Sequence, residues 1–306
     1  MSKLAFIYPG QGVQKAGMGA DFYTNSREAA ELFDRASETL RLDLKALCFK
    51  ENEKLDLTEY TQAALVCTSL AMTRVMQKKG ICPDLTAGLS LGEYAAIAAA
   101  GALEEIEAIR LVRKRGILMQ NTVPAGEGAM CAVMGMETAA IEQVLEEIPD
   151  ASIANYNCPG QIVITGKKAA VEEGAKKLKE AGARRTVMLN VSGPFHSTML
   201  LLAGEELKKE LEQTTIKELQ IPYVANVTAK KVEDAGEIKD LLVKQISGSV
   251  RWMQSMETML ADGVDTFVEI GPGKTLAGFL KKINPAAKVI SVGTWEELEQ
   301  TVQILL

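Results

Sequence analysis

The chain has 306 residues, 47% hydrophobic and 24% charged, with a formal net charge of −6. That length buries a full core unaided, as one large domain or one carrying a smaller second one, and the acidic balance argues against nucleic acid, which needs a basic footprint. No apolar run approaches the roughly 18–20 residues of a membrane span, and five cysteines (Cys48, Cys67, Cys82, Cys131, Cys158) without a CxxC pair, beside one histidine, leave almost nothing for a metal site.

The opening MSKLAFIYPGQG has too short an apolar run for a signal peptide and reads directly into a strand, LAFIY (4–8), and a turn, PGQG (9–12). Helical patterns follow near 26–41 and 59–79. PDLTAG then reads as a short strand entry, and LGEYAAIAAAGAL is strongly helix-forming. Another helix is expected over 104–121. The cysteines read as buried small thiols in a reducing cytoplasm, so a cytoplasmic location is expected.

The middle of the chain changes rhythm. GAMCAVMGM (128–136), ASIANYN (151–157), QIVITG (161–166) and RRTVMLN (184–190) read as strands, with helices at 138–148 and 167–182. That β-α-β-β-α-β order is the ferredoxin-like split unit, and VPAGEG (123–128) and VSGPF (191–195) are plausible hinges. Beyond them, VDTFVEI (264–270) breaks at GPG before the helix-like KTLAGFLKKI (274–283). KVISVG (288–293) is a last strand, and TWEE (294–297) offers a capping box for the final helix. The expected fold is α/β. A large domain over 1–123 and 192–306 would hold a parallel-type sheet covered by helices around an α/β-hydrolase-like core. A small ferredoxin-like domain would be inserted at 124–191.

Ser90 lies in Gly88-x-Ser90-x-Gly92, where a strand is expected to turn into a helix. Such a nucleophile elbow lifts the hydroxyl above the sheet, and its glycines remove side chains that would collide there. In a chain with 25 glycines the pattern also arises by chance, so an incidental serine at a helix start remains the alternative. A serine needs a base at neutral pH, and histidine is the usual one. His196, in SGPFHS, is the only histidine, and the alternative for it is a satisfied structural residue. In α/β-hydrolases the order is serine, acid, histidine, with the histidine near the end. Here much of the sheet follows His196, so a plain hydrolase layout fits poorly.

The helix over 104–122 carries an apolar stripe at Ala108, Leu111, Val112, Leu118 and Met119, and Arg115 falls within it. Arg110, Arg113 and Lys114 point elsewhere and can be solvated. A buried arginine must find an anion. Either an internal carboxylate supplies it, or the planar guanidinium waits for a substrate carboxylate.

YPGQG (8–12), GLSLGEY (88–94), RKRG (113–116), GPFHS (193–197) and EIGPGK (269–274) occur in that order. Together they resemble the malonyl-CoA:acyl carrier protein transacylases of fatty acid synthesis, from Leu4 to about Ile283, including NCPGQIVITG (157–166). The resemblance implies that Ser90 is the nucleophile, His196 its base, and Arg115 the holder of the malonyl carboxylate. The backbone N–H groups of Gln11 and Leu91 would form the oxyanion hole, and the backbone carbonyl of Gln245 would orient the histidine. Phe195 would favour malonyl over bulkier branched units. The implied partners are malonyl-CoA and an acidic acyl carrier protein, with no metal, bound cofactor, nucleic acid or membrane. KKLKEAGARR (176–185) is a candidate docking patch or simply a solvated helix face.

Two residues depart from the family pattern. Leu89 stands where histidine is usual, removing a polar neighbour of the elbow but not the base. Ser249 replaces a proline common before VRW, which leaves the Gln245 loop less rigid. The rival readings are a free-standing polyketide-type acyltransferase, a serine thioesterase or esterase, and a degenerate acyl-binding protein.

Overall fold

The apolar runs pair as strands, and the computed structural model, which describes residues 3–306, sorts them into two sheets. The strands are β1 (Leu4–Tyr8), β2 (Leu85–Gly88), β3 (Gly128–Met134), β4 (Ala151–Cys158), β5 (Gln161–Lys167), β6 (Arg185–Met188), β7 (Tyr223–Val224), β8 (Lys231–Val232), β9 (Thr266–Ile270) and β10 (Lys288–Val292). The first helices are α1 (Ala20–Asn25), α2 (Arg27–Leu40), α3 (Leu44–Phe49), α4 (Thr58–Lys78), α5 (Gly92–Ala99) and α6 (Glu105–Asn121). They are followed by α7 (Thr138–Glu146), α8 (Lys168–Glu180), α9 (Leu201–Glu212), α10 (Ile238–Ser247), α11 (Trp252–Ala261), α12 (Thr275–Ile283) and α13 (Trp295–Leu305).

The large sheet has the order β10-β9-β1-β2-β7-β8. Its first five strands are parallel, and helices cover both faces, which is why β2 and β9 are buried at every residue. The sheet is mixed rather than wholly parallel, because β8 returns antiparallel against β7 at one edge. α4 packs against α2 and α6. It buries residues almost all round, so its 21 residues show little amphipathic contrast. Its neighbour α6 buries Ala108, Leu111, Val112, Arg115 and Met119 along the stripe expected from sequence, while Leu118 is half-buried.

The second sheet has the order β4-β5-β3-β6, and every neighbouring pair is antiparallel. Strand alternation gives it two different faces. Cys131, Val133, Ile162 and Ile164 pack with α7 and α8 residues such as Ile141, Val171 and Leu178 in one core. Met130, Ala132 and Val163 face a cleft against the large sheet. α8 therefore lies behind the small sheet, away from the cleft. That removes Lys176, Lys177 and Lys179 as flankers of the cleft mouth, and Lys177 is paired to Glu147 and Glu173.

Several local expectations change in detail. Thr294 caps α13 by accepting the Glu297 N–H at 3.2 Å, and the Glu297 carboxylate reaches back to take the Gly293 N–H at 2.9 Å. Cys82 is exposed, while the other four cysteines are buried. Arg113 is largely covered, paired to Glu59 at 2.8 Å and stacked 4.2 Å from the Tyr60 ring. Among the described residues no helix is long and apolar enough to cross a membrane.

Candidate active site

The C-terminal ends of the parallel strands lie together, and there β1 runs into Pro9–Gln11, β2 into Ser90, β7 into Asn226 and β9 into the loop before α12. This is where open α/β sheets gather functional groups. β2 turns into α5 within three residues. A Cβ at Gly88 would lie 2.0 Å from the Gly92 carbonyl carbon, and one at Gly92 would lie 2.4 Å from Tyr8 O. Both glycines are therefore required by close backbone approach. Between them Ser90 holds φ +55°, a left-handed conformation costly for a residue with a Cβ. Asn226 clamps that turn: its Oδ1 accepts the Ser90 N–H at 2.7 Å, and its Nδ2 donates to Gly88 O at 2.7 Å.

Ser90 Oγ lies 2.8 Å from His196 Nε2. The imidazole is 4% exposed, and its Nδ1 faces two backbone carbonyls, Gln245 O at 2.9 Å and Gly248 O at 3.1 Å. Two acceptors on one side fix the proton at Nδ1, so Nε2 keeps its lone pair toward Ser90 Oγ. No carboxylate is needed for that orientation. His196 also sits at φ +59°, a second strained residue in the same site. Burial, then the nearby positive charge of Arg115, lower its pKa to about 4 against the pull of the two carbonyls.

Arg115 is fully buried and donates to Gln62 Oε1 at 2.7 Å, Gln245 Oε1 at 2.9 Å and Ser90 Oγ at 3.0 Å. All three partners are uncharged, and its Nε has none. Of the two readings open for this residue, the internal ion pair is the one these contacts do not supply. Burial pushes the guanidinium pKa down, with Tyr94 and Glu93 opposing. A cation held in this way is poised to bind an anion arriving beside Ser90.

A cleft of about 780 Å³ opens over Ser90 and His196. Gln11, Leu91 and Phe195 line it, and among the described residues neither the Gln11 nor the Leu91 backbone N–H has a protein acceptor. The Gln11 side chain is tied to Thr58 Oγ1 at 3.1 Å, and Thr58 shares a hydrogen bond with Ser192 at 2.9 Å. The turn after β1 is thus held to the segment that returns from the small sheet. Leu89 joins Leu276 and Phe279 as an apolar wall. Ser249 does not loosen its loop as expected: its hydroxyl donates to Ile153 O at 2.6 Å, fastening that loop to β4.

All seven residues singled out from the sequence fall in one neighbourhood, Arg115 and Gln245 just behind the cleft wall. Four others carry no signal that sequence reading used. Asn226 lies just beyond a two-residue strand, Gln62 lies in a helix buried on all sides, and Gly248 adds only a carbonyl. Glu93 sits in the first turn of α5, where an acid is usually a solvated partner of the helix dipole. Here it is fully buried, and burial raises its pKa to about 8.

Residues 5–301 match the acyl transferase domain family. The malonyl CoA-acyl carrier protein transacylase of Bacillus subtilis (strain 168) is 46% identical over 310 residues, covering 100% of this chain and 98% of that protein. The crystal structure of the malonyl CoA-acyl carrier protein transacylase from Clostridium perfringens superposes with a TM-score of 0.96 at 40% identity, over 99% of this chain and 97% of that one. A malonyl-transacylase solved in complex with its type II PKS acyl-carrier protein superposes with a TM-score of 0.96 at 39% identity, over 99% of this chain and 100% of that one.

Proposed function

The chain belongs to the acyl transferase domain family, among the malonyl CoA-acyl carrier protein transacylases, and on that premise we propose that it moves malonyl from coenzyme A to a carrier-protein thiol through an ester on Ser90. One observation carries the reading. The same Ser90 Oγ lies 2.8 Å from the free nitrogen of a base and 3.0 Å from a buried guanidinium with only neutral partners. A carboxylate two carbons from the attacked carbonyl would find its cation there.

His196 Nε2 takes the serine proton as Oγ bonds to the thioester carbon. The carbonyl oxygen becomes anionic against the N–H groups of Gln11 and Leu91, and the C–S bond then breaks with His196 returning its proton to the departing thiolate. In the second half His196 deprotonates the carrier's thiol, sulfur attacks the ester, and Ser90 recovers its proton. The malonyl carboxylate stays on Arg115 throughout, and Phe195 limits the room beside it. Each proton and developing charge in these steps has a place on the chain's own residues, so the proposed steps use neither a metal nor a bound cofactor. The acyl ester must survive until the second thiol arrives, which distinguishes transfer from hydrolysis.

In this reading the small sheet, with strand order and antiparallel pairing of the ferredoxin-like kind, is a domain over 124–191 inserted into an α/β-hydrolase-like domain over 1–123 and 192–306. Its cleft-facing side would wall the thiol channel. Met1 and Ser2 lie outside the described residues. The partners would be malonyl-CoA and an acyl carrier protein, met in the cytoplasm.

The test is intact-protein mass spectrometry after brief mixing with malonyl-CoA, followed by carrier protein. A malonyl adduct that discharges onto the carrier is expected. Rapid release of free malonate without carrier would instead mark a thioesterase.

The base also makes a pH prediction. His196 must be neutral to act, and its neutral form predominates above its pKa of about 4 and is nearly complete by about pH 5.5. With kcat/KM reporting the free enzyme, the value at pH 5.5 should stay within about twofold of that at pH 7.5, whereas a base at the ordinary 6.5 would cost about tenfold. A bend near pH 6.5 would contradict the depressed value.

A further inference from the structure

We propose that Glu93 is a positioning residue of this transfer: it holds the side-chain amide of Gln245, and through it the guanidinium of Arg115, so that Glu93 sets the preference for acyl groups with a free carboxylate. The inference rests on the reading of the site as a malonyl transferase.

Gln245 stands at the centre of the site with four tasks. Its backbone carbonyl accepts from His196 Nδ1 at 2.9 Å, and its Oε1 accepts from Arg115 Nη2 at 2.9 Å. Its Nε2 donates to Ser90 O at 2.7 Å and to Glu93 Oε2 at 2.8 Å. A side-chain amide can point either way round, and its neighbours decide. Reversed, the amide nitrogen would face a guanidinium that only donates, and the oxygen would face two oxygens. Without Glu93 the orientation is held weakly: Ser90 O already accepts the Glu93 N–H at 3.1 Å, and Asn226 Oδ1, 3.4 Å from Nε2, already accepts the Ser90 N–H at 2.7 Å. The carboxylate is the second and dedicated anchor.

Glu93 Oε2 also accepts the Asn226 N–H at 3.2 Å, and Asn226 is the residue that clamps the Ser90 turn. One oxygen thus serves the two residues that place the nucleophile, the base and the cation. Both of its neighbours are N–H donors, so it accepts from them whether or not the carboxyl is protonated. The other oxygen, Oε1, is buried with no partner. That is a costly way to fill space which an apolar side chain would fill without penalty. Arg115, Tyr94 and Tyr223 are the charged or titratable groups that act on it.

The test compares Glu93→Gln and Glu93→Met in the full chain by the rate at which Ser90 is acylated by malonyl-CoA and by acetyl-CoA, which lacks the free carboxylate. Glutamine can present an amide oxygen where Oε2 lies, so both rates should stay within about threefold of wild type. Methionine offers no acceptor, so the buried Asn226 N–H loses its partner and Gln245 Nε2 keeps only Ser90 O and the long contact to Asn226 Oδ1. Its malonyl rate should fall about 100-fold and its acetyl rate about tenfold, so that the malonyl-to-acetyl ratio drops about tenfold. A role in folding alone would lower both rates together and keep the ratio.

A folded methionine variant with the wild-type ratio overturns the inference, as does a glutamine variant equally damaged. Should the methionine variant not fold, Gln245→Met carries the test: it removes the amide and should lower the ratio similarly, and an unchanged ratio overturns the inference. Wild-type protein that forms no malonyl adduct would overturn the reading of function as well. Wild-type protein that loads normally beside variants of unchanged ratio would overturn only the role of Glu93.

Discussion

Ser90→Ala is expected to form no acyl adduct with malonyl-CoA and to lower transfer to carrier protein by at least about 10⁴-fold, the loss seen when a serine nucleophile acts as one unit with its base. The hydroxyl lies 2.8 Å from the only imidazole in the chain, whereas Ser192 and Thr275, the other hydroxyl residues lining the cleft, have no hydrogen bond to that imidazole among the described residues. His196→Ala should cost about as much, since a hydroxyl without a base stays protonated. The double variant should then be hardly worse than either single one, because removing the second member of a broken pair removes nothing further. What rate remains would come from binding and from the N–H groups of Gln11 and Leu91. Single-turnover loading followed by mass spectrometry reads all three variants. Two losses that multiplied would mean that serine and histidine act independently, contrary to the geometry.

The alternation of strand and helix, the β-α-β-β-α-β stretch and the elbow could be read from sequence because each rests on local chemistry. Gly88 is demanded by backbone contact with Gly92 within the turn itself, and Gly92, demanded by the distant Tyr8 carbonyl, was legible only through the local motif it completes. Arg115 was legible because a charge in an apolar helical stripe has no local solution. Its partners Gln62 and Gln245 were not, since neutral amides carry no periodic signal and lie 53 and 130 residues away. Asn226 follows a strand of two residues, too short to show a period of two. Ser249 shows the converse error: reading it as a missing proline overlooked a hydroxyl whose acceptor on β4 is 96 residues distant. For the α8 lysines of the candidate stretch at 176–185 the solvated-face alternative fits better for a related reason, because local charge does not say which face of a sheet its helix will cover.

Arg115→Met is expected to lower malonyl loading of Ser90 by roughly 10²–10³-fold, the cost of leaving a buried carboxylate without its cation, while acetyl loading changes by less than about tenfold. The two rates part because only malonyl brings a charge to the pocket. Arg115→Lys should fall between them, since an ammonium offers one compact charge where the guanidinium offers a planar fork. The free protein should tell the opposite story. Arg115 is fully buried among neutral partners, with an unpaired Nε. Replacing it with an apolar chain removes an uncompensated charge, so thermal stability should be unchanged or higher. The pH profile of the residual acetyl loading provides an internal check. The charge of Arg115 helps hold the His196 pKa at about 4. Without it that pKa rises, so the acid limb of the methionine variant should move to higher pH. Equal losses for malonyl and acetyl, with an unmoved acid limb, would place Arg115 in support of the fold and not in recognition of the substrate.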